Sequence, residues 1–296
     1  MFKSFGELCD RMITKPRTLV VAAAHDSHTL EAVFIASEKL NIRYILVGNR
    51  EKIIDISSKL GFSPESDSIV DGTDDTDCAK KAVGLIREGA GDALKKGALE
   101  TRTLLKAVLD KDSGIRDSGT LSHLSILETP AYYKLIGVTD GGMIPNPTIE
   151  QKRDIVRNAV NYYRLIGYNR PKVAALCASE SVSPKIQETV EAAELQEMSH
   201  RGELGECLLE GPLSFDIAIS RESASIKGFS SKVSGDTDIL MVPNIAAGNI
   251  LVKGLIYWAG AKMAGCILGA KVPIVLTSRA STSEEKFLSI MLSVAV

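Results

Sequence analysis

The sequence predicts an α/β protein with two parallel-sheet lobes, on three observations. Short apolar runs alternate with amphipathic stretches along the whole chain, the pattern of strands joined by covering helices. The first run, Thr18-Leu19-Val20-Val21-Ala22-Ala23-Ala24, is apolar on both faces, as a strand buried beneath helices on each side must be. A length of 296 residues, at about 150 per domain, accommodates two lobes. A cleft between two lobes is then the default place for a ligand.

The elements follow in order. After the first strand, helical spacing over residues 28–40 leads to a strand at Arg43-Tyr44-Ile45-Leu46-Val47-Gly48 and a helix over 52–60. A short strand at Asp67-Ser68-Ile69-Val70-Asp71 and a helix over 75–89 complete a β-α-β-α-β series with right-handed crossovers. A second series begins after residue 118. It has strands over 121–127 and 135–139, a long helix over 148–166, and a buried strand at Lys172-Val173-Ala174-Ala175-Leu176-Cys177. Ser183-Pro184 reads as the N-cap and first residue of another helix. Strands at Asp216-Ile217-Ala218-Ile219, Asp238-Ile239-Leu240-Met241-Val242 and Val272-Pro273-Ile274-Val275-Leu276 finish the pattern. No repeat, low-complexity tract or long linker interrupts it.

Composition narrows the function. With 45% hydrophobic and 24% charged residues, extensive disorder is excluded. Thirty-five basic against 37 acidic residues leave a net charge of -2, which argues against a general binder of nucleic acid or anionic membranes. The five cysteines are scattered and form no C-x-x-C pair, so neither a disulfide framework nor a thiolate zinc site is expected, and a reducing compartment fits better. The first residues lack the apolar core of a signal peptide. The longest uncharged apolar run, residues 239–252, is too short to span a bilayer. A cytoplasmic protein is expected.

The usual nucleotide and hydrolase signatures are missing: no G-x-G-x-x-G follows the first strand, and there is no P-loop, G-x-S-x-G or H-E-x-x-H. No spacing suits a metal site. His25, at the end of the first strand, is placed to face a ligand or to serve as a polar loop residue beside Asp26. Two stretches in the last third carry more. Val242-Pro243-Asn244-Ile245-Ala246-Ala247-Gly248-Asn249 passes from a buried strand through small residues into a helix. Bare backbone N–H groups could meet an anion there, or Gly248 and Asn249 could be a turn and a cap. Leu276-Thr277-Ser278-Arg279 brings hydroxyls and a guanidinium to a strand's carboxyl end, and Arg can grip a phosphate with two parallel hydrogen bonds. Downstream, Ser281 with Glu284 and Thr282 with Glu285 each fit a capping box, so Glu285 is either a functional carboxylate or only a cap.

Several segments, in order and spacing, make the sequence resemble the phosphate acetyltransferase and phosphate butyryltransferase family, closer to the butyryltransferase branch. They are Lys96-Gly97-Ala98-Leu99-Glu100-Thr101, Leu121-Ser122-His123, residues 140–147 followed by Lys152 and Asn158-Ala159-Val160, Gly211-Pro212-Leu213-Ser214-Phe215-Asp216, and Val233-Ser234-Gly235-Asp236-Thr237-Asp238, with the two stretches above. The resemblance implies the two-lobed fold of isocitrate and isopropylmalate dehydrogenases. Residues 1–118 with 269–296 would form one α/β domain, and 119–268 the other, as a homodimer. It also implies reversible transfer of a short-chain acyl group (butyryl, branched-chain or acetyl) between coenzyme A and phosphate. Coenzyme A is then a substrate, with no permanent cofactor, metal, nucleic acid or membrane.

By the same resemblance Ser278, Arg279 and Glu285 are the catalytic residues. Lys106 stands where the family has a phosphate-facing arginine, with Thr101, Arg116, Gly248 and Asn249 as further substrate contacts and Arg102 as another possible cation. Direct attack of the CoA thiolate on the acyl-phosphate carbonyl needs help with a thiol of pKa about 8.5. Glu285 is the candidate base, Ser278 orients the thiol or donates to the developing charge, and Arg279 with Lys106 neutralises the departing phosphate. The dipole of a helix favours a charged carboxylate in its first turn, which opposes a role as base. Two other readings are a non-catalytic relative that binds CoA or acyl phosphate, and a metal-dependent decarboxylating dehydrogenase on the same fold.

Overall fold

The computed structural model describes residues 1–12, 15–117, 119–277 and 281–296. These fall into two compact units, one of residues 1–8 with 119–263 and one of residues 9–118 with 264–296. A first helix, α1 (Phe5–Met12), crosses from one unit to the other.

The chain then runs β1 (Thr18–Ala22), α2 (Ser27–Leu40), β2 (Arg43–Gly48), α3 (Arg50–Lys59), β3 (Ile69–Asp71), α4 (Asp75–Arg87), β4 (Ala93–Lys96) and α5 (Thr101–Val108). β1 pairs in parallel with β2 (Val20 opposite Ile45) and with β4 (Val20 opposite Leu94). In the strand order β3-β2-β1-β4 the connections reverse direction at β1, so the carboxyl ends of β1 and β4 mark a switch point. Asp26, Asn49 and Asp74 each accept backbone N–H bonds at the starts of α2, α3 and α4, which is why each helix begins at once beyond its strand.

The other unit contains β5 (Ser122–Glu128), β6 (Ile136–Thr139), α6 (Ile149–Leu165), β7 (Lys172–Leu176), α7 (Gln187–His200), β8 (Leu208–Leu213), α8 (Phe215–Ile219), α9 (Arg221–Ile226), β9 (Ile239–Met241) and α10 (Ile245–Ala259), with strand order β5-β6-β9-β7-β8. Thr148 and Gln151 form a complete capping box at the start of α6. The first residues of the chain belong to this unit: the Phe2 carbonyl accepts from Leu135 N, and the Phe2 amide donates to the Tyr168 hydroxyl. The chain returns through β10 (Lys262–Leu268) and β11 (Ile274–Val275), the latter parallel to β4, and ends in α11 (Ser283–Val294).

Three expectations are corrected. The sheets are mixed rather than parallel throughout, because β5–β6 and β10–β11 are antiparallel pairs. Their connections, residues 129–135 and 269–273, are too short for the crossover that a parallel partner requires. Residues 216–219 are helical, not extended: Ile217 and Ala218 are buried on one side of α8, and the strand of this region is β8, whose Pro212 is tolerated on a sheet edge. Ser183-Pro184 starts no helix. Ile186 N donates to the Ser183 carbonyl in a turn with proline at its second position, and α7 begins at Gln187.

A buried ion cluster clamps the amino ends of β6, β7 and β9. Lys134, 1% exposed, donates to Asp236 Oδ1 (2.8 Å) and Asp238 Oδ1 (2.5 Å). Lys172 adds its ammonium to Asp236 Oδ2 (2.5 Å) and its amide to Asp238 Oδ2 (2.7 Å), and the Tyr133 hydroxyl also donates to Asp236. Burial alone would raise the Asp236 carboxyl, but the bonds from Lys134, Lys172 and Tyr133 hold it well below the usual carboxylate range. Lys134→Ala leaves two acidic groups without their buried counter-ion and is expected to cost about 3–5 kcal/mol in urea denaturation. A depressed carboxyl stabilises the fold above its unfolded pKa. The wild-type urea midpoint should therefore hold near neutrality and fall as the pH drops below about 4.

Candidate active site

In the unit of residues 9–118 and 264–296, the segment after β4 is pressed against the end of β1. Gly97 N donates to the Ala22 carbonyl (2.8 Å) and Ala98 N to the Ala23 carbonyl (2.9 Å). A Cβ on Gly97 would lie 2.2 Å from the Ala23 oxygen, so only glycine fits. Lys96 Nζ holds the same turn by bonds to the carbonyls of Gly97 (3.2 Å) and Leu99 (2.9 Å). Glu100 precedes α5 without capping it through its side chain, and Thr101, exposed, is its first residue. Lys106 is exposed in the last turn of α5, on the same face as Arg102. Thr101 lies about 140° from Lys106 around the helix at 100° per residue, so the two do not share a face. Arg116 is exposed and bridges to Ala270.

Ser278 and Arg279 lie outside the described residues. Just beyond them, Thr282 caps α11 by accepting from Glu285 N (3.1 Å). The Glu285 carboxylate, half-buried, does not close the box in return: its Oε1 accepts from the Ser281 hydroxyl at 2.6 Å. Capping thus uses the backbone of Glu285 and leaves its side chain oriented by a neutral donor.

In the unit of residues 1–8 and 119–263, β6 ends in a turn organised by Asp140. This carboxylate, 2% exposed, accepts from Gly142 N and Met143 N through Oδ1 (2.9 Å each) and from Ile144 N through Oδ2 (3.1 Å). It is fully engaged in folding its own loop. Beside it, burial pulls the His123 imidazole pKa down against the opposing pull of Asp140, which favours the neutral ring. Gly248 and Asn249 are neither turn nor cap. Asn244 caps α10, accepting from Ala247 N (3.0 Å), and both residues lie within the helix, Gly248 buried and Asn249 exposed. Gly248 lets α10 touch the Asp140 loop: a Cβ there would sit 2.7 Å from Gly141 Cα.

His25 lines a pocket of about 530 Å³ with Asn49, Lys52, Gly72, Thr73 and Cys78, at the carboxyl ends of β1, β2 and β3. Among the described residues no group of three His, Cys, Asp or Glu side chains could hold a metal. No described helix is long and apolar enough to cross a membrane. Sequence reasoning passed over the Asp140 turn as a structural unit, although its D-G-G spacing, with backbone N–H groups following a carboxylate, is legible in retrospect.

These features define an α/β protein whose mixed sheets carry tightly hydrogen-bonded turns at their carboxyl ends. Residues 72–294 match the family model described as phosphate acetyl/butaryl transferase. The chain is 42% identical to a probable phosphate butyryltransferase of Bacillus subtilis, covering 95% of this chain and 94% of that protein. It is 40% identical to a phosphate acetyltransferase of Thermotoga maritima, covering 94% and 95%. The crystal structure of a branched-chain phosphotransacylase from Enterococcus faecalis superposes with a TM-score of 0.83 at 33% identity, covering 94% of this chain and 98% of that one. The chain belongs to the phosphate acetyl/butyryltransferase family, a family of acyltransferases.

The glycine contact generates a prediction. Gly248→Ala forces α10 and the Asp140 loop apart and should destabilise the protein by about 1–3 kcal/mol in thermal or urea unfolding. Asn249→Ala, at an exposed position, should leave stability unchanged within about 0.5 kcal/mol.

Proposed function

We propose that this protein catalyses reversible transfer of a short-chain acyl group between coenzyme A and phosphate. The reading is carried by the family match over residues 72–294, which includes the run Thr277-Ser278-Arg279 and the carboxylate of Glu285 at the head of α11. The relatives above differ in acyl group, so butyryl, branched-chain and acetyl substrates all remain in scope for this chain. The fold would be the two-lobed type of the isocitrate and isopropylmalate dehydrogenases. A cytoplasmic homodimer is the proposed assembly, supported by the apolar outer face of α10, where Ile250, Tyr257 and Trp258 are 72%, 81% and 93% exposed.

In the proposed reaction the CoA sulfur attacks the acyl-phosphate carbonyl, the carbon–oxygen bond to phosphate breaks, and the thiol proton leaves for a base. Glu285 accepts that proton, its carboxylate aimed by the Ser281 hydroxyl. Ser278 orients the sulfur or donates to the developing oxyanion. Arg279 neutralises the departing phosphate, assisted by Lys106 from the exposed face of α5. Thr101, Arg116, Gly248 and Asn249 complete the proposed substrate contacts. Holding two reactants in register supplies a large part of such an acceleration, independent of proton removal.

Thiol release from acetyl-, butyryl-, isobutyryl- and isovaleryl-CoA on addition of phosphate tests the reading and ranks the acyl groups. A protein that binds these thioesters yet releases no thiol is the non-catalytic relative instead. Arg279→Ala should lower kcat/KM for acyl phosphate by about 10² or more. Glu285→Gln should give a rate defect that shrinks as pH rises and hydroxide replaces the base. A defect constant with pH would reduce Glu285 to a helix residue.

A further inference from the structure

Among the described residues, Lys95 is a buried charge whose placement packing does not justify. It lies on β4 between Val21 of β1 and Val275 of β11, and only 2% of it is exposed. Its ammonium reaches the carboxyl end of its strand, where the single hydrogen bond found for it is a 3.5 Å contact to the Lys96 carbonyl, at the limit for such a bond. Among the described residues no carboxylate ion-pairs with it, in contrast to the buried Lys134. A buried ammonium without a counter-ion is costly, and the apolar flanks of this position would accept methionine.

The charged groups that face Lys95 are few. Asp26 stands at the N-cap of α2, Lys286 in the first turns of α11, and Lys96 beside it on β4, while β1 and β11 offer only valines. Asp26 spends Oδ1 on Thr29 N, and its buried Oδ2 has no hydrogen-bond partner among the described residues. Two further lysines, Lys286 and Lys96, add to the positive charge around the ammonium, and α2 and α11 pack on each other. One incompletely used carboxylate opposes them. Such a surplus of positive charge at a strand-order reversal suits an anion.

We propose that Lys95 is a positioning residue for the phosphate group, its buried ammonium supplying, from beneath the β4–α5 turn and the starts of α2 and α11, the positive field in which that group is held. The proposal rests on the acyl-transfer reading for its substrate, but not for its test. Burial, with Lys286 and Lys96 adding to it and Asp26 opposing, pulls the ammonium down to about 8. The charge, and with it phosphate affinity, is then present at neutral pH and lost as the pH rises through that value.

The experiment compares wild type, Lys95→Met and Asp26→Asn in the acyl-CoA plus inorganic phosphate direction, between about pH 6 and about pH 9. Asparagine caps as well as aspartate, so the second variant changes charge while keeping α2 capped. Lys95→Met should raise the KM for phosphate about tenfold with a smaller change in kcat, lose the alkaline rise in KM, and melt no lower than wild type. Asp26→Asn should move the alkaline rise to lower pH, because the carboxylate that favours the ammonium is gone. A wild-type KM in Lys95→Met, or an alkaline rise that survives in it, overturns the proposal. If Lys95→Met does not fold, an unmoved rise in Asp26→Asn overturns it. Should wild type release no thiol at all, the acyl-transfer reading fails separately. Lys95 is then judged by the increase in Tm that inorganic phosphate produces: a loss in Lys95→Met supports the proposal, and an equal increase in both proteins overturns it.

Discussion

The unit of residues 1–8 and 119–263 depends on a lysine that has no water to turn to. Lys134 holds two aspartates at the amino ends of β6, β7 and β9, and Lys172 closes the cluster from the third strand. The backbone of Asp238 is part of the same joint, accepting from Gly137 N and donating to the Lys172 carbonyl. Charge and ladder thus fix the strands at one edge. The opposite edge is left free to carry loops whose shape is set by their own residues, as the Asp140 turn and the start of α10 are. The parallel strands β6, β9, β7 and β8 offer this division of labour because their carboxyl ends all lie on one side.

Close approach of backbone to backbone is the second recurring device. Gly97 lays the turn after β4 on the carbonyls that end β1, and Gly248 lays α10 on Gly141. In both places the missing side chain lets backbone meet backbone, and Lys96 further pins the Gly97 turn. Polar groups are used very differently across these edges. Asp140 is saturated by three amides, Glu285 keeps a carboxylate directed by Ser281, and among the described residues the buried Lys95 ammonium has no ion pair, with only the half-buried Asp26 to offset it. Saturated groups build the fold, whereas unmatched ones retain a field that a ligand can use.

Much of the architecture was legible in the order of residues, and the misreadings have physical causes. β1, β2, β6 and β7 stand out as apolar runs, and α6 as a long helical stretch over 148–166. β4 escapes because Lys95 and Lys96 end its short apolar run in charge, although one of those lysines is buried. The stretch 216–219 misleads because a short apolar run suits a buried helix turn as well as a strand. Of the candidate site, the residues by themselves mark Ser278 and Arg279 at a strand's end and leave Glu285 open between carboxylate and cap, and only family resemblance gives them catalytic roles. The engagement of Glu285 with Ser281, and the isolation of Lys95, cannot be read from spacing, since both are set by partners on other elements.

By itself the sequence determined the α/β class, the approximate places of the helices over 28–40, 52–60, 75–89 and 148–166, and the family, because burial periodicity and motif order are written residue by residue. Tertiary structure alone decided which strands run antiparallel, that residues 1–8 pack with 119–263, and which buried charges find partners. Those outcomes depend on what lies across a sheet or beneath a helix, at distances in sequence that no local pattern spans.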